Sequence, residues 1–445
     1  MNKEHKLNRA GCKKLIAFQL FYVLFVRMFI SWFGLPSALT YVTDFVTVVL
    51  LIMLIHVRFR RVRKSRVKYV QIMVGLFIGA AVFGDVLNVV NPLLILWAAR
   101  NVFRGLVFFL ACIEFLDRED IDRLFRPMLF VQGVNIAMTG IQYFQGYDQD
   151  FLGGIFGTEV GCNSYTNVFF VILLTFYAVG YLNKTQPFKR YLYVTLSTMI
   201  ISALAELKIF YAEFIVIMIL SILFSRRSKR KLWVAGFGFI AVVLGVFIIS
   251  RIFPLQFYYM KSLRNIFKYD LLFNEGLHMS RFTAFARIDQ MFFHGDPWKL
   301  LFGIGFGNAE MSAFSFLTSD FFRMYSTSNY RWFAHTMFFI EDGYVGLVFF
   351  AAIFVAMFIT AVRLRSRKDE DPAYYSAETY LMIMSLLTLL GLMYDLGIRT
   401  EAQYLTYFAL SAGFVYARRA ENPVQGDVQE SVSGSEAPAE EAESL

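Results

Sequence analysis

The chain has 445 residues, 57% of them hydrophobic and 18% aromatic, with a formal net charge of +9. A soluble domain is nearer half apolar, and the excess here comes in blocks of about 20 residues, the length that spans a bilayer. A soluble globular fold is therefore excluded. The positive charge becomes a question of membrane side rather than of nucleic acid.

Taken in order, twelve apolar segments predict membrane spans: 15–35, 38–57, 69–90, 93–116, 128–144, 163–182, 191–206, 209–224, 232–252, 334–362, 376–397 and 400–417. The basic N-terminus (Lys3, Lys6, Arg9, Lys13, Lys14) leads into an apolar run too long for a signal peptide and followed by another span, so an uncleaved first helix is expected. Basic clusters follow the second span (Arg58 to Lys68), the eighth (Arg226 to Lys231) and the tenth (Arg363 to Lys368). With an even number of spans all three fall on the side of the N-terminus, which the positive-inside rule makes cytoplasmic. Both termini are then cytoplasmic. The other side carries two substantial loops, 145–162 and 254–333, the second long enough to read as functional. Aromatic stretches in it such as FPLQFYYM (Phe253 to Met260) suggest interfacial helix. The parts are thus 1–253 with nine spans, the loop 254–333, the last three spans at 334–420, and the tail 421–445. That tail is acidic, has no Lys or Arg, and is too polar to bury a core.

Cys12, Cys112 and Cys162 lie far apart, match no metal spacing and suggest no disulfide. Cations within or at the ends of apolar spans are costly and so informative. Arg251 and Arg399 stand at span ends, where snorkelling accounts for them. Arg27 lies mid-span without an assignment. Arg100 and Arg104, at i and i+4, share one helix face; they either pair structurally with Asp85 or Glu114 or bind substrate. Lys208, in ALAELKIFYAEF at the tip of a hairpin, is either neutralised by Glu206 or Glu213 or meets an anionic lipid headgroup.

The segment Arg281 to Gly346 concentrates the polar features. RFTAFARIDQMFF (Arg281 to Phe293) reads as an amphipathic helix on which Arg281 and Arg287, six apart, face different ways. The run Gly303, Gly305, Gly307 follows no strand and opens no βαβ unit, so the dinucleotide-loop reading fails; a turn allowing close backbone approach fits better. His335 stands at the mouth of a long apolar helix, where a neutral imidazole can take a proton from a hydroxyl. Asp148 and Asp150 form a DxD, a weak pointer to a metal–nucleotide site, and no His-rich or carboxylate cluster suggests a metal.

The order RFxxFxxxxxxF, LFGIGFGN, then a histidine followed by FIEDGYVGL resembles the O-antigen ligase/polymerase superfamily, the Wzy-type polymerases and WaaL-type ligases. GGIFGTEVGCNSYTNV (Gly153 to Val168) resembles that family's glycine-then-asparagine entry to a span. The resemblance implies an all-α integral membrane protein, GT-C-like, in the bacterial inner membrane with its site on the extracytoplasmic face. It implies metal-independent, inverting glycosyl transfer without cofactor, using undecaprenyl-diphosphate-linked oligosaccharide as donor and acceptor, alongside chain-length regulator and flippase proteins. His335 would be the general base, Arg281 would hold the diphosphate leaving group, and Lys208 would supply the second cation. Arg100, Arg104, Arg287, Asn163, Asn167 and Gly305 are the further substrate-binding candidates. Two departures matter: the family usually has arginine where Lys208 stands and His-Asn where this chain has His335-Thr336. The implied function is a polysaccharide repeat-unit polymerase; the alternatives are a ligase, which uses the same constellation, and a transporter or lipid-linked oligosaccharide flippase. A transporter would show internal repeats and Gly/Pro-broken helices, and neither is evident in the sequence.

Overall fold

The computed structural model describes residues 3–57, 67–252, 254, 258, 262–272, 274–366 and 371–417. Arg58 to Arg66 of the first basic cluster, Arg367 and Lys368 of the third, most of FPLQFYYM and the acidic tail lie outside these residues. Among the described residues the chain is all-helical, without a strand.

Twelve principal helices coincide with the apolar segments: α1 (Lys3–Phe33), α2 (Val42–His56), α3 (Lys68–Asn88), α4 (Pro92–Phe115), α5 (Arg118–Phe144), α6 (Cys162–Leu182), α7 (Phe188–Leu204), α8 (Lys208–Phe224), α9 (Arg230–Ile252), α10 (Ala334–Ser366), α11 (Pro372–Tyr394) and α12 (Gln403–Ala417). Among the described residues nine helices are long and apolar enough to cross a membrane, which makes this a multi-pass membrane protein. The other three, α7, α8 and α12, have 17, 17 and 15 residues. Local sequence sets the starts. Asn91 and Asp371 each accept a backbone N–H two residues on, ahead of a proline at the first helical position. Asp117 and Asp120 close a capping box at the start of α5.

Helix α12 has every residue buried, so it faces protein all round rather than lipid. It packs on α4 and α11, and α10 packs on α11 and α3. Phe77 of α3 knits this side together by meeting the rings of Phe103, Phe306, Phe338 and Phe350 at 5.3–6.0 Å.

Two findings depart from the sequence reading. Helix α10 is not continuous: Gly343, with φ +63° and ψ −163°, breaks it into two halves. A break frees helix carbonyls, and here Ile340 and Glu341 give theirs to the N–H groups of Ile304 and Gly305 at 2.8 and 2.9 Å. The glycine run is what lets the chain enter this notch, because a Cβ at Gly303 would collide with the Glu341 backbone. The second departure is the loop 145–161. Its residues Leu152 to Phe156 are buried in the bundle, where Gln142 bonds both the N–H and the carbonyl of Gly154 and Asn135 accepts the Ile155 N–H. Side-chain amides of α5 thus satisfy backbone that water would otherwise have to reach.

Candidate functional site

The start of α10, the end of α11 and the turn before residue 284 converge at one end of the bundle, joined by a hydrogen bond from the Ala334 N–H to the Asp395 carbonyl at 2.8 Å. His335 lies in the first turn of α10 and is only 2% exposed. Its Nδ1 faces the Leu392 carbonyl and its Nε2 faces the Arg281 carbonyl, each at 3.2 Å. A neutral imidazole has one N–H and donates to only one of them. Phe285 meets the ring edge-on at 5.5 Å and Phe333 stacks on it at 5.7 Å.

Arg281 is therefore brought against His335, but through its main chain. Its guanidinium projects away between the rings of Phe333 and Tyr394, 4.6 and 4.8 Å from their centroids, a cation–π arrangement that steadies the charge without neutralising it. Asp270 holds the turn by accepting the N–H groups of Arg281 and Phe282, and lies 3.7 Å from the guanidinium. With 31% of its side chain exposed, Arg281 is reachable from outside. The expected long amphipathic helix is shorter than the sequence implied. It starts only at Ala284, passes into a wider turn over Asp289–Phe293, and leaves Phe282 half exposed. Arg287 does face elsewhere, donating to the Gly276 carbonyl at 2.8 Å.

The remaining candidates are distributed around this corner. Lys208 opens α8 and pairs with Glu206 at 3.0 Å, the nearer of its two expected acids. Glu213, the other, is buried. Asn163 and Asn167 lie in the first two turns of α6. Asn167 is buried and lines a cavity of about 50 Å³ together with Glu213, Thr388, Leu392, Asp395 and Thr406. Leu392 connects this cavity to the catalytic candidate, since its carbonyl faces His335. Burial pushes the carboxyl of Asp395, in the loop after α11, up to about 6, against hydrogen bonds from the Gly397 N–H and Ser164. Gly305 uses its backbone freedom on protein: its N–H is taken by Glu341 and a Cβ would strike Val90.

Arg100 and Arg104 belong to a separate network. Arg100 pairs with Asp44 over the rings of Trp97 and Tyr41. Arg104, 3% exposed, reaches Asp44 at 3.3 Å and Glu401 at 3.4 Å. Glu401 also takes Arg27 at 2.8 Å and the Tyr165 hydroxyl at 2.6 Å, which assigns the mid-span Arg27. The carboxylates are thus Asp44 and Glu401, and Asp85 instead accepts the Phe306 N–H at 2.7 Å. The snorkelling account of Arg399 is overturned. That side chain is 2% exposed and its Nη2 binds both Glu310 and Glu341 at 2.6 Å, because the loop that carries it folds into the bundle against the break in α10.

Sequence reasoning missed Asp270, Tyr394, Asp395, Asp44, Glu310 and Glu401. Tyr394 and Asp395 were absorbed into a span drawn to residue 397, and Glu401 into one drawn from 400. A carboxylate at the tip of an apolar run was the available signal. No family model matches this chain, and no curated protein matches it.

Proposed function

We propose that the protein is a membrane glycosyltransferase of twelve spans, GT-C-like, that polymerises undecaprenyl-diphosphate-linked oligosaccharide units into a bacterial surface polysaccharide. Both termini are cytoplasmic and the reaction runs at the extracytoplasmic face of the inner membrane. The observation that carries the reading is the adjacency of His335 to the turn that aims Arg281, an accessible cation framed by two rings. Metal-independent inverting transfer needs this division of labour. The acceptor hydroxyl attacks the anomeric carbon, the bond to the diphosphate oxygen breaks, a base takes the hydroxyl proton, and cations stabilise the negative charge that develops on the departing diphosphate. His335 is the base and Arg281 binds the diphosphate, with Lys208 as the second cation. Arg100, Arg104 and Arg287 then serve as structural or peripheral contacts, Asn163 and Asn167 flank the acceptor side, and Gly305 shapes the loop.

The hydrogen bonds set a condition on this mechanism. With the proton on Nδ1 and donated to Leu392, the Nε2 lone pair is the one available to the acceptor, and it faces the Arg281 carbonyl. That carbonyl has to move off Nε2 as the acceptor enters. Engagement of the Arg281 side chain by the donor diphosphate is the event placed to move it.

The test uses purified protein in detergent with undecaprenyl-diphosphate-linked repeat units and EDTA, the products run on a gel. The expected result is a ladder of lengthening chains that His335→Ala abolishes while the variant still elutes as folded protein. Transfer only to a separately supplied lipid or protein acceptor would replace polymerase by ligase. A full ladder from His335→Ala would remove the base, and no covalent product with authentic substrate would sink transfer itself.

A further inference from the structure

We propose that the cavity between α6, α8, α11 and the start of α12 is a binding site for a monovalent, oxygen-coordinated cation, with Glu213 Oε2 and Asn167 Oδ1 as its central ligands. Both residues line the cavity and are buried, at 6% and 3% exposure. Among the described residues neither of those oxygens has a hydrogen-bond partner. Asn167 Oδ1 is an acceptor, and so is Glu213 Oε2 when the carboxyl is ionised; an acceptor left unpaired at this depth is costly unless something electropositive meets it. The polar groups around them add to the same chemistry. The hydroxyl of Thr388 already donates to the Met384 carbonyl at 2.8 Å, so only its oxygen lone pairs are left to offer. Thr406 also lines the cavity, and among the described residues no Lys or Arg does.

Size and charge narrow the ligand. A cavity of about 50 Å³ has room for a few waters or one partly hydrated ion. Oxygen donors select hard cations over soft ones. Of the two carboxylates, Asp395 already accepts the Gly397 N–H at 2.7 Å, and Glu213 Oε2 is the buried carboxylate oxygen without a partner, which favours single over double charge. The backbone setting is also of the right kind: the site lies where α11 stops and the chain runs irregularly through Asp395 to Ala402 before α12 begins, and interrupted helices buried in membrane proteins are where such ions are held. Occupancy would tie α6, α8 and α11 together at Leu392, the residue whose carbonyl faces His335. The inference does not depend on the transfer reaction.

The experiment is equilibrium binding of radioactive Na⁺ to the full chain in detergent, at constant ionic strength made up with choline chloride, with Li⁺, K⁺ and Mg²⁺ as competitors. One saturable ion per chain, displaced by Li⁺ or K⁺ and not by choline, is expected. In Glu213→Gln, which keeps the shape and removes the charge, binding should weaken at least about tenfold, a loss of ~1.4 kcal/mol. Monodisperse elution and native helicity establish that the variant is folded; should it not be, Asn167→Leu gives the same reading. Absence of stoichiometric binding of Na⁺, Li⁺ and K⁺ alike, undiminished binding in a folded variant, or displacement by Mg²⁺ alone would each overturn the proposal.

Discussion

Arg399 and Arg281 stand at the same end of the bundle, on neighbouring stretches of chain in space, and have opposite surroundings. Arg399 is 2% exposed and divides one nitrogen between Glu310 and Glu341, over the ring of Phe338. Arg281 is 31% exposed, lies between two rings, and has its carboxylate partner at 3.7 Å. A charge enclosed with its counter-charges holds elements together, because separating either from the other leaves an ion stranded in low dielectric. A charge framed by ring faces keeps its field directed outward and stays open to an anion. Burial and pairing, rather than the presence of a cation in an apolar chain, distinguish fastening from binding.

The sharpest way to break this comparison is to remove each guanidinium. Arg399→Ala leaves Glu310 and Glu341 buried beside the break in α10, and should cost about 3–5 kcal/mol, read as a large fall in melting temperature in detergent or as loss of monodisperse protein. Equal stability of Arg399→Ala and the native chain would mean the buried triad fastens nothing. The same contrast repeats within the other network at smaller scale. Arg104 is enclosed at 3% exposure, whereas Arg100 is 23% exposed and shares Asp44 with it. Arg104→Ala should therefore cost about 3 kcal/mol and Arg100→Ala about 1 kcal/mol, and a reversed order in thermal unfolding would contradict the assignment of Arg104 as the interior tie.

The apolar blocks made the helices legible, since the twelve segments drawn from composition coincide with helices throughout. Charge pairing was not legible, because Glu401 is hundreds of positions away from Arg27 and Arg104 in the chain and meets them only once α1, α4 and the loop before α12 are packed. For the same reason the sequence pointed to His335 and Arg281 but not to their contact through a backbone carbonyl, which depends on the turn that Asp270 holds. The break at Gly343 was hidden by the uniform hydrophobicity of α10. Its one sequence signal was the glycine beside Glu341 and Asp342, two acids in an otherwise apolar run.

Arg281→Ala supplies the other half of the opening comparison. As a partly exposed cation with a loose ion pair it should cost about 0–1 kcal/mol of stability, while donor use in the ladder assay collapses. A variant that loses stability as Arg399→Ala does, or that keeps normal donor kinetics, would place Arg281 among the fastening charges.

The smallest effect is expected where charges meet in water-accessible surroundings, at the opposite end of α4. Asp117, half exposed, binds Arg9 at 2.5 Å and Lys13 at 2.6 Å. Partial burial pushes its carboxyl up, but the hydrogen bond from Lys13 and the charge of Arg9 outweigh that and hold it below the ordinary range. A carboxyl lowered on folding contributes stability above its unfolded value, near 3.9 for aspartate, and loses it as pH falls through the folded value. Asp117→Asn should thus lower stability by about 0.5 kcal/mol at neutral pH, and the difference from the native chain should shrink as pH falls below about 4. Thermal unfolding of both proteins across that range checks it, and a gap that stays unchanged on acidification would show that Asp117 acts through its helix cap rather than through its charge.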